Sequence, residues 1–135
     1  MNLTGALIAY LRADVRVSGL TERIYGSELP RDGAAGMPSK TVVVMASGLG
    51  GTTGDRSDVR EVGNRFDVRC YGESPYQADL LHGAVFRAMK DLRRERYNDV
   101  VLQTAEVGGG PLPGRDGDAD WPYTLGVYVV NAVYD

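Results

Sequence analysis

Two glycine-rich stretches hold the residue types best able to do chemistry. The first, SGLGGTTGDRSDVR at residues 47–60, places four glycines ahead of two Asp and two Arg. Glycine lets backbone N–H groups converge on a phosphate, but a phosphate loop also needs a second Gly five residues after the first, then Lys and Ser/Thr. Counting from Gly48 gives Thr53, Gly54 and Asp55, and the dinucleotide pattern fails likewise because Gly48 and Gly50 are followed by Thr53. The second stretch, GGGPLPGRDGDAD at residues 108–120, alternates Asp116, Asp118 and Asp120 as a calcium loop does at its start. Such a loop requires Gly at its sixth position and Glu at its twelfth, which here are Trp121 and Val127. Both stretches therefore read as polar hairpin loops, of 14 and 13 residues, longer than ordinary hairpin connections.

Nucleophilic chemistry needs Ser, Cys or Thr beside a base. The single histidine, His82, has no supporting signature, and the single cysteine, Cys70, falls on the apolar side of a strand. No pair of carboxylates is singled out by spacing, and no Cys, His or carboxylate cluster surrounds His82 at metal-ligand spacing. The expectation is a protein without catalytic residues, metal or cofactor.

The elements around these stretches follow from periodicity. Leu3, Leu7, Tyr10 and Leu11 recur at helical spacing, so residues 3–13 read as an amphipathic helix that Asn2 caps. Arg23-Ile24-Tyr25 reads as a short strand, and Pro30 to Pro38 as an extended connection. The run TVVVMA at 41–46 reads as a strand covered on both faces. In NRFDVRCY at 64–71, Phe66, Val68 and Cys70 alternate with Arg65, Asp67 and Arg69: one face for a core, the other for water or for ion pairs across a subunit interface.

Ser74, Pro75 and Gln77 form a capping arrangement. Ala78, Leu81, Val85, Ala88 and Leu92 then lie along one stripe, predicting a helix over residues 75–93. On its opposite side Phe86 accompanies Tyr76, a combination that suits a protein contact. The basic run KDLRRER at 90–96 reads as the cationic C-terminus of that helix. Residues 100–107 and 121–134 read as further strands.

A chain of 135 residues is expected to form one domain, 1–135. Hydrophobic content of 43%, 24% charged residues and no long apolar run predict a globular protein with no membrane partner. The N-terminal residues lack the basic lead of a signal peptide, and one cysteine fits a reducing compartment, so synthesis and residence in the cytoplasm are expected. A net charge of −3 argues against a sequence-independent nucleic-acid binder.

The order of these motifs resembles the tail terminator, or tail-completion, family of long-tailed bacteriophages. The matching features are the N-terminal helix ending near Asp14, Arg23-Ile24-Tyr25, the Pro30–Pro38 connection and TVVV. After them come the strand ending Val68-Arg69-Cys70-Tyr71-Gly72-Glu73-Ser74, the Ala-rich helix from Tyr76 to Leu92 and the long aromatic C-terminal strand. The 108–120 loop is longer and richer in glycine than the commoner pattern.

The resemblance implies an α+β fold, a mainly antiparallel sheet of four to five strands with the N-terminal helix and one long central helix packed on it, and long hairpin loops. It also implies a virion structural protein, assembled in the host cytoplasm as a hexameric ring. That ring caps the tail tube, ends its polymerisation and docks the head-tail connector, with DNA at most passing through the lumen. A neck adaptor is the related alternative, and a small phosphate- or nucleotide-binding enzyme the alternative of a different class. The residues expected at subunit or tube interfaces are Gly50, Gly51, Thr52, Thr53, Asp55, Arg56, Asp58 and Arg60 of the first loop. Arg65, Arg69, Tyr76, Phe86, Arg115 and Asp116 complete the set.

Overall fold

The computed structural model of the protein describes residues 2–27, 36–49, 61–117 and 119–134. Helix α1 (Leu3–Ala13) starts where the Asn2 side chain accepts a hydrogen bond from the Gly5 N–H at 2.7 Å, and it buries Leu3, Ala6, Leu7 and Leu11. Asp14 ends it in an extended conformation and caps a second, four-residue helix, α2 (Val15–Ser18), by accepting from the Arg16 N–H. Strand β1 (Ile24–Gly26) follows, then β2 (Thr41–Leu49) and β3 (Glu61–Tyr71). Helix α3 (Pro75–Lys90) begins at Ser74, whose hydroxyl accepts from the Gln77 N–H, while the Gln77 side chain accepts from the Glu73 N–H. The chain closes with β4 (Glu95–Tyr97), β5 (Val100–Arg115) and β6 (Pro122–Tyr134).

The strands form one six-stranded sheet in the order β1-β2-β3-β6-β5-β4. Pairing is antiparallel except at β1, which runs parallel to β2. Side chains alternate across a strand. Phe66, Val68 and Cys70 of β3 therefore join Val42 and Val44 of β2 and Tyr128, Val130 and Ala132 of β6 on one face. Helices α1 and α3 close over that face with Leu7, Leu11, Leu81, Val85 and Met89, all fully buried. Among the described residues, no helix is long and apolar enough to cross a membrane.

Four expectations need correction. The sheet has six strands rather than four or five, because β4, of three residues, adds itself at one edge, opposite the short strand β1 expected around Ile24. Helix α3 ends at Lys90, not residue 93: Asp91 caps it and Arg94, with φ of 41°, turns the chain into β4. The basic run at 90–96 is thus split between a helix end and an edge strand.

The third correction concerns the second glycine-rich stretch, which is a strand as far as Arg115 and not a loop throughout. Strand β5 runs to Arg115, paired with β6 throughout, and absorbs three register shifts between Leu102 and Leu112. Glycine serves there as the residue that fits a bulge and a close backbone approach. At Gly110, φ is 88° and an added Cβ would stand 2.5 Å from the Leu125 carbonyl oxygen. Fourth, Phe86 is half-buried against the core rather than outward, with the Lys90 ammonium 5.4 Å from its ring centroid.

Candidate functional site

The face of the sheet opposite the helices carries the charged row of β3. Of its members Arg65 is exposed, while Asp67 and Arg69 are half-buried. Arg69 departs from a solvated side chain: its guanidinium lies 4.8 Å from the centroid of the Tyr123 ring on β6. The adjacent Tyr71 hydroxyl raises its pKa, and its Nε is buried with no hydrogen-bond partner among the described residues. Charge on this face is therefore held by an aromatic partner at one end of β3 and left open at the other, at Arg65.

The aromatic end is a locked corner. Tyr71 meets Tyr123 and Trp121 edge-on, at centroid distances of 5.7 and 6.3 Å, and its hydroxyl donates to the Asp116 carboxylate at 2.9 Å. The Asp116 N–H donates to the Trp121 carbonyl, the Asp120 N–H to the Asp116 carbonyl, and Arg115 to the Asp120 carbonyl. Gly114 lets the Tyr123 ring approach, since a Cβ there would lie 2.8 Å from its Cζ and Oη. Asp116 thus holds the β5–β6 turn from within the chain, and Arg115 beside it is exposed. Among the described residues, no three His, Cys, Asp or Glu side chains are grouped to hold a metal.

Removing the Tyr71 hydroxyl should loosen this corner without unfolding the domain. Tyr71→Phe is expected to cost about 1 kcal/mol, the usual net value of one hydrogen bond, somewhat more because its acceptor is charged. Faster amide exchange confined to residues 112–124 would verify it, and uniform exchange across the sheet would contradict it.

Tyr76 and Phe86 are separated by ten positions, about 15 Å along the helix. Only Tyr76 is open, 75% exposed, and its neighbour one turn on is Leu80, 44% exposed. That pair stands at i, i+4, a spacing legible in the sequence. Residues Gly50, Gly51, Thr52, Thr53, Asp55, Arg56, Asp58 and Arg60 lie outside the described residues.

At the other end of the molecule Arg16 bridges Asp14 at 2.8 Å and Asp91 at 2.6 Å, joining α2 to the end of α3. The Arg16 side chain, as a hydrogen-bond partner, holds the Asp14 carboxyl below its ordinary pKa. Tyr10 donates to the Ala88 carbonyl at 2.6 Å, and burial pushes its pKa up to about 12. These groups line a cleft of about 310 Å³ with Glu95 and Tyr97. Tyr10, Asp14, Arg16 and Asp91 in its wall are spent on holding helices together.

The buried polar groups face the core instead of a cleft. Burial raises the pKa values of Cys70 and Tyr128 and lowers that of His82. Among the described residues the Tyr128 hydroxyl and His82 Nδ1 have no hydrogen-bond partner, and both side chains press on the site of an absent Cβ at Gly126. His82 gives a pH prediction. Its unfolded pKa lies near 6.5 and its folded pKa below that, so the unfolded chain takes up the proton first. The stability it contributes is complete above pH 6.5 and declines as pH falls toward the folded pKa. Urea titrations at pH 7.5 and 5.5 should show a loss at the lower pH that His82→Leu abolishes; an equal loss in both proteins would show that other groups carry it.

No family model matches the chain, and no curated protein sequence does. Among solved structures, the fold is similar to a chain of the virion of the native gene transfer agent particle. The match has 17% identity and a TM-score of 0.69, covering 97% of this chain and 94% of that one. The structure of the bacteriophage SPP1 gp17 protein matches with 16% identity and a TM-score of 0.46, over 97% of this chain and 87% of that one. The α+β fold of this chain is thus one also present, almost end to end, in a gene transfer agent virion.

Proposed function

We propose that the protein is a virion structural component, a ring-forming tail terminator that caps the tail tube, ends its polymerisation and presents a face to the head-tail connector. The observation that carries this reading is the near full-length fold similarity to a chain of the gene transfer agent virion. The order of sequence motifs supports it independently. In this reading the chain acts without a catalytic step or cofactor, as a homo-oligomer of six copies whose lumen passes DNA. It assembles in the host cytoplasm and stays in the tail or neck of the particle. A neck adaptor that joins terminator to connector is the second reading, favoured by the same fold similarity.

Electron microscopy of particles made without this protein separates the two. Tails of uncontrolled length, detached from heads, are expected of a terminator. Tails of correct length that fail to join heads would assign the protein to the neck, and normal particles would reject both. For the glycine-rich segment at 50–60, which lies outside the described residues, we propose ordering against a neighbouring subunit or the tube on assembly. Deleting residues 49–56 should leave the monomer's melting temperature within a few degrees and abolish tail completion; unaltered tails would remove that segment from the mechanism.

A further inference from the structure

The sheet has two unpaired edge segments, and its own register sets them at one level. On one side, β1 covers β2 only from Val42 to Val44, so among the described residues Met45–Leu49 have no strand beyond them. On the other, β4 covers β5 only from Val100 to Leu102, and the Arg94 N–H donates to the Gln103 carbonyl just past it. From Thr104 onward the β5 edge has no strand partner among the described residues.

Following the pairs across the sheet, Ala46 lies level with Phe66, Tyr128 and Val107. Gly48 lies level with Arg65, Val129 and Glu106, and Leu49 with Asn64, Val130 and Ala105. The two short edge strands thus block opposite ends and leave steps that match.

We infer that a second copy of this chain docks its β2 edge, Met45–Leu49, against the β5 edge, Thr104–Val107, and continues the sheet from copy to copy. The inference rests on the ring reading above and specifies its subunit junction. Polarity permits it: β2, β3, β6 and β5 alternate in direction, so a neighbour of the same orientation brings β2 to β5 antiparallel. Space permits it: a cleft of about 420 Å³ runs along the β5 edge between Thr104–Val107 and the end of α3.

Charge favours it over self-pairing. Glu106 and Arg65 are exposed on the same, helix-free face. Across the junction Glu106 faces Gly48 of the neighbouring copy, which has no side chain, and Arg65 of that copy stands one strand beyond. The separation is about 10 Å between backbones at the usual strand spacing, within reach of the two long side chains. A two-fold β5–β5 pairing would instead bring two Glu106 carboxylates together on one face, which is unfavourable. Because the joined edges are unlike, the contact is head-to-tail and generates a ring when the rotation closes.

The test is disulfide trapping of an Ala46→Cys/Val107→Cys double variant, in assembled particles and in concentrated purified protein. Directly opposed Cβ atoms on paired strands are about 4.5–5.5 Å apart, close to disulfide reach. Both positions are exposed and the native Cys70 is buried, so neither folding nor the native thiol interferes. Mild oxidation should give a ladder of covalent multimers ending at one size, with no multimers from either single variant. As a second measurement, Glu106→Arg should lower the assembled fraction about threefold per junction, and adding Arg65→Glu should restore it.

Rings visible by microscopy without cross-linking, or without rescue by the double reversal, would overturn this junction and leave the ring reading standing. Dimers from a Glu106→Cys variant alone would replace it with the two-fold contact. Wild-type particles in which the protein forms no ring would overturn both.

Discussion

Phe66→Ala is expected to lower the unfolding free energy by about 3–5 kcal/mol, the usual range for deleting a buried aromatic ring. Phe66 is fully buried on a strand with neighbours on both sides, level with Tyr128, itself 1% exposed. With helices closing the same face, the surroundings cannot collapse into the space left behind. Domains of this size are commonly stable by 5–15 kcal/mol in all, so the variant would be marginal at physiological temperature. Urea unfolding should show a lower midpoint at an unchanged slope. A loss below about 1 kcal/mol would mean that the sheet face described here is not the core face.

Gly110→Val is the second large effect, and it separates a strand from a loop at residues 108–115. A flexible loop would accept valine nearly unchanged. In the ladder the substitution meets two penalties at once. A φ of 88° is strained for any side chain, by about 1–3 kcal/mol. The added Cβ also falls 2.5 Å from the Leu125 carbonyl oxygen and 3.2 Å from the Gly126 Cα, and overpacking of that kind costs about another 1–3 kcal/mol. Both contacts are backbone, so no rotamer change relieves them. The expected result is a loss of about 2–6 kcal/mol in total, with exchange protection disappearing from the outer half of the β5–β6 pair first. A melting curve indistinguishable from that of the parent would restore the loop reading.

These two residues also mark the boundary of what sequence reasoning reaches. Phe66 was legible because alternation over 64–71 is a local signal: a strand half-buried in any sheet needs it. The caps at Asn2 and Ser74 were legible for the same reason, since each satisfies helix N–H groups within its own next turn. The buried stripe of α3 follows from 3.6-residue spacing alone: Ala78, Leu81, Val85 and Ala88 are all fully buried, as is Leu92 just past the helix end.

Gly110 was misread because glycine and proline signal loops only when no partner strand is waiting. Here β6 supplies a long ladder into which bulges fit, and that partner begins more than ten residues away in sequence. The same non-locality hid β4, whose three residues carry no periodicity, and the inward packing of Phe86. Arg69 looked solvated in the alternating row until Tyr123, 54 positions later, was set beneath its guanidinium.

The sequence by itself determined the helices, the central strands and which of their faces are apolar, because each is written in residues a few positions apart. Only the tertiary structure decided that β5 is a strand to Arg115, that Asp116 and Arg69 are bound into a corner, and that the unpaired edges of β2 and β5 stand level. Those facts depend on strand order and register, which are fixed by contacts between residues far apart in the chain.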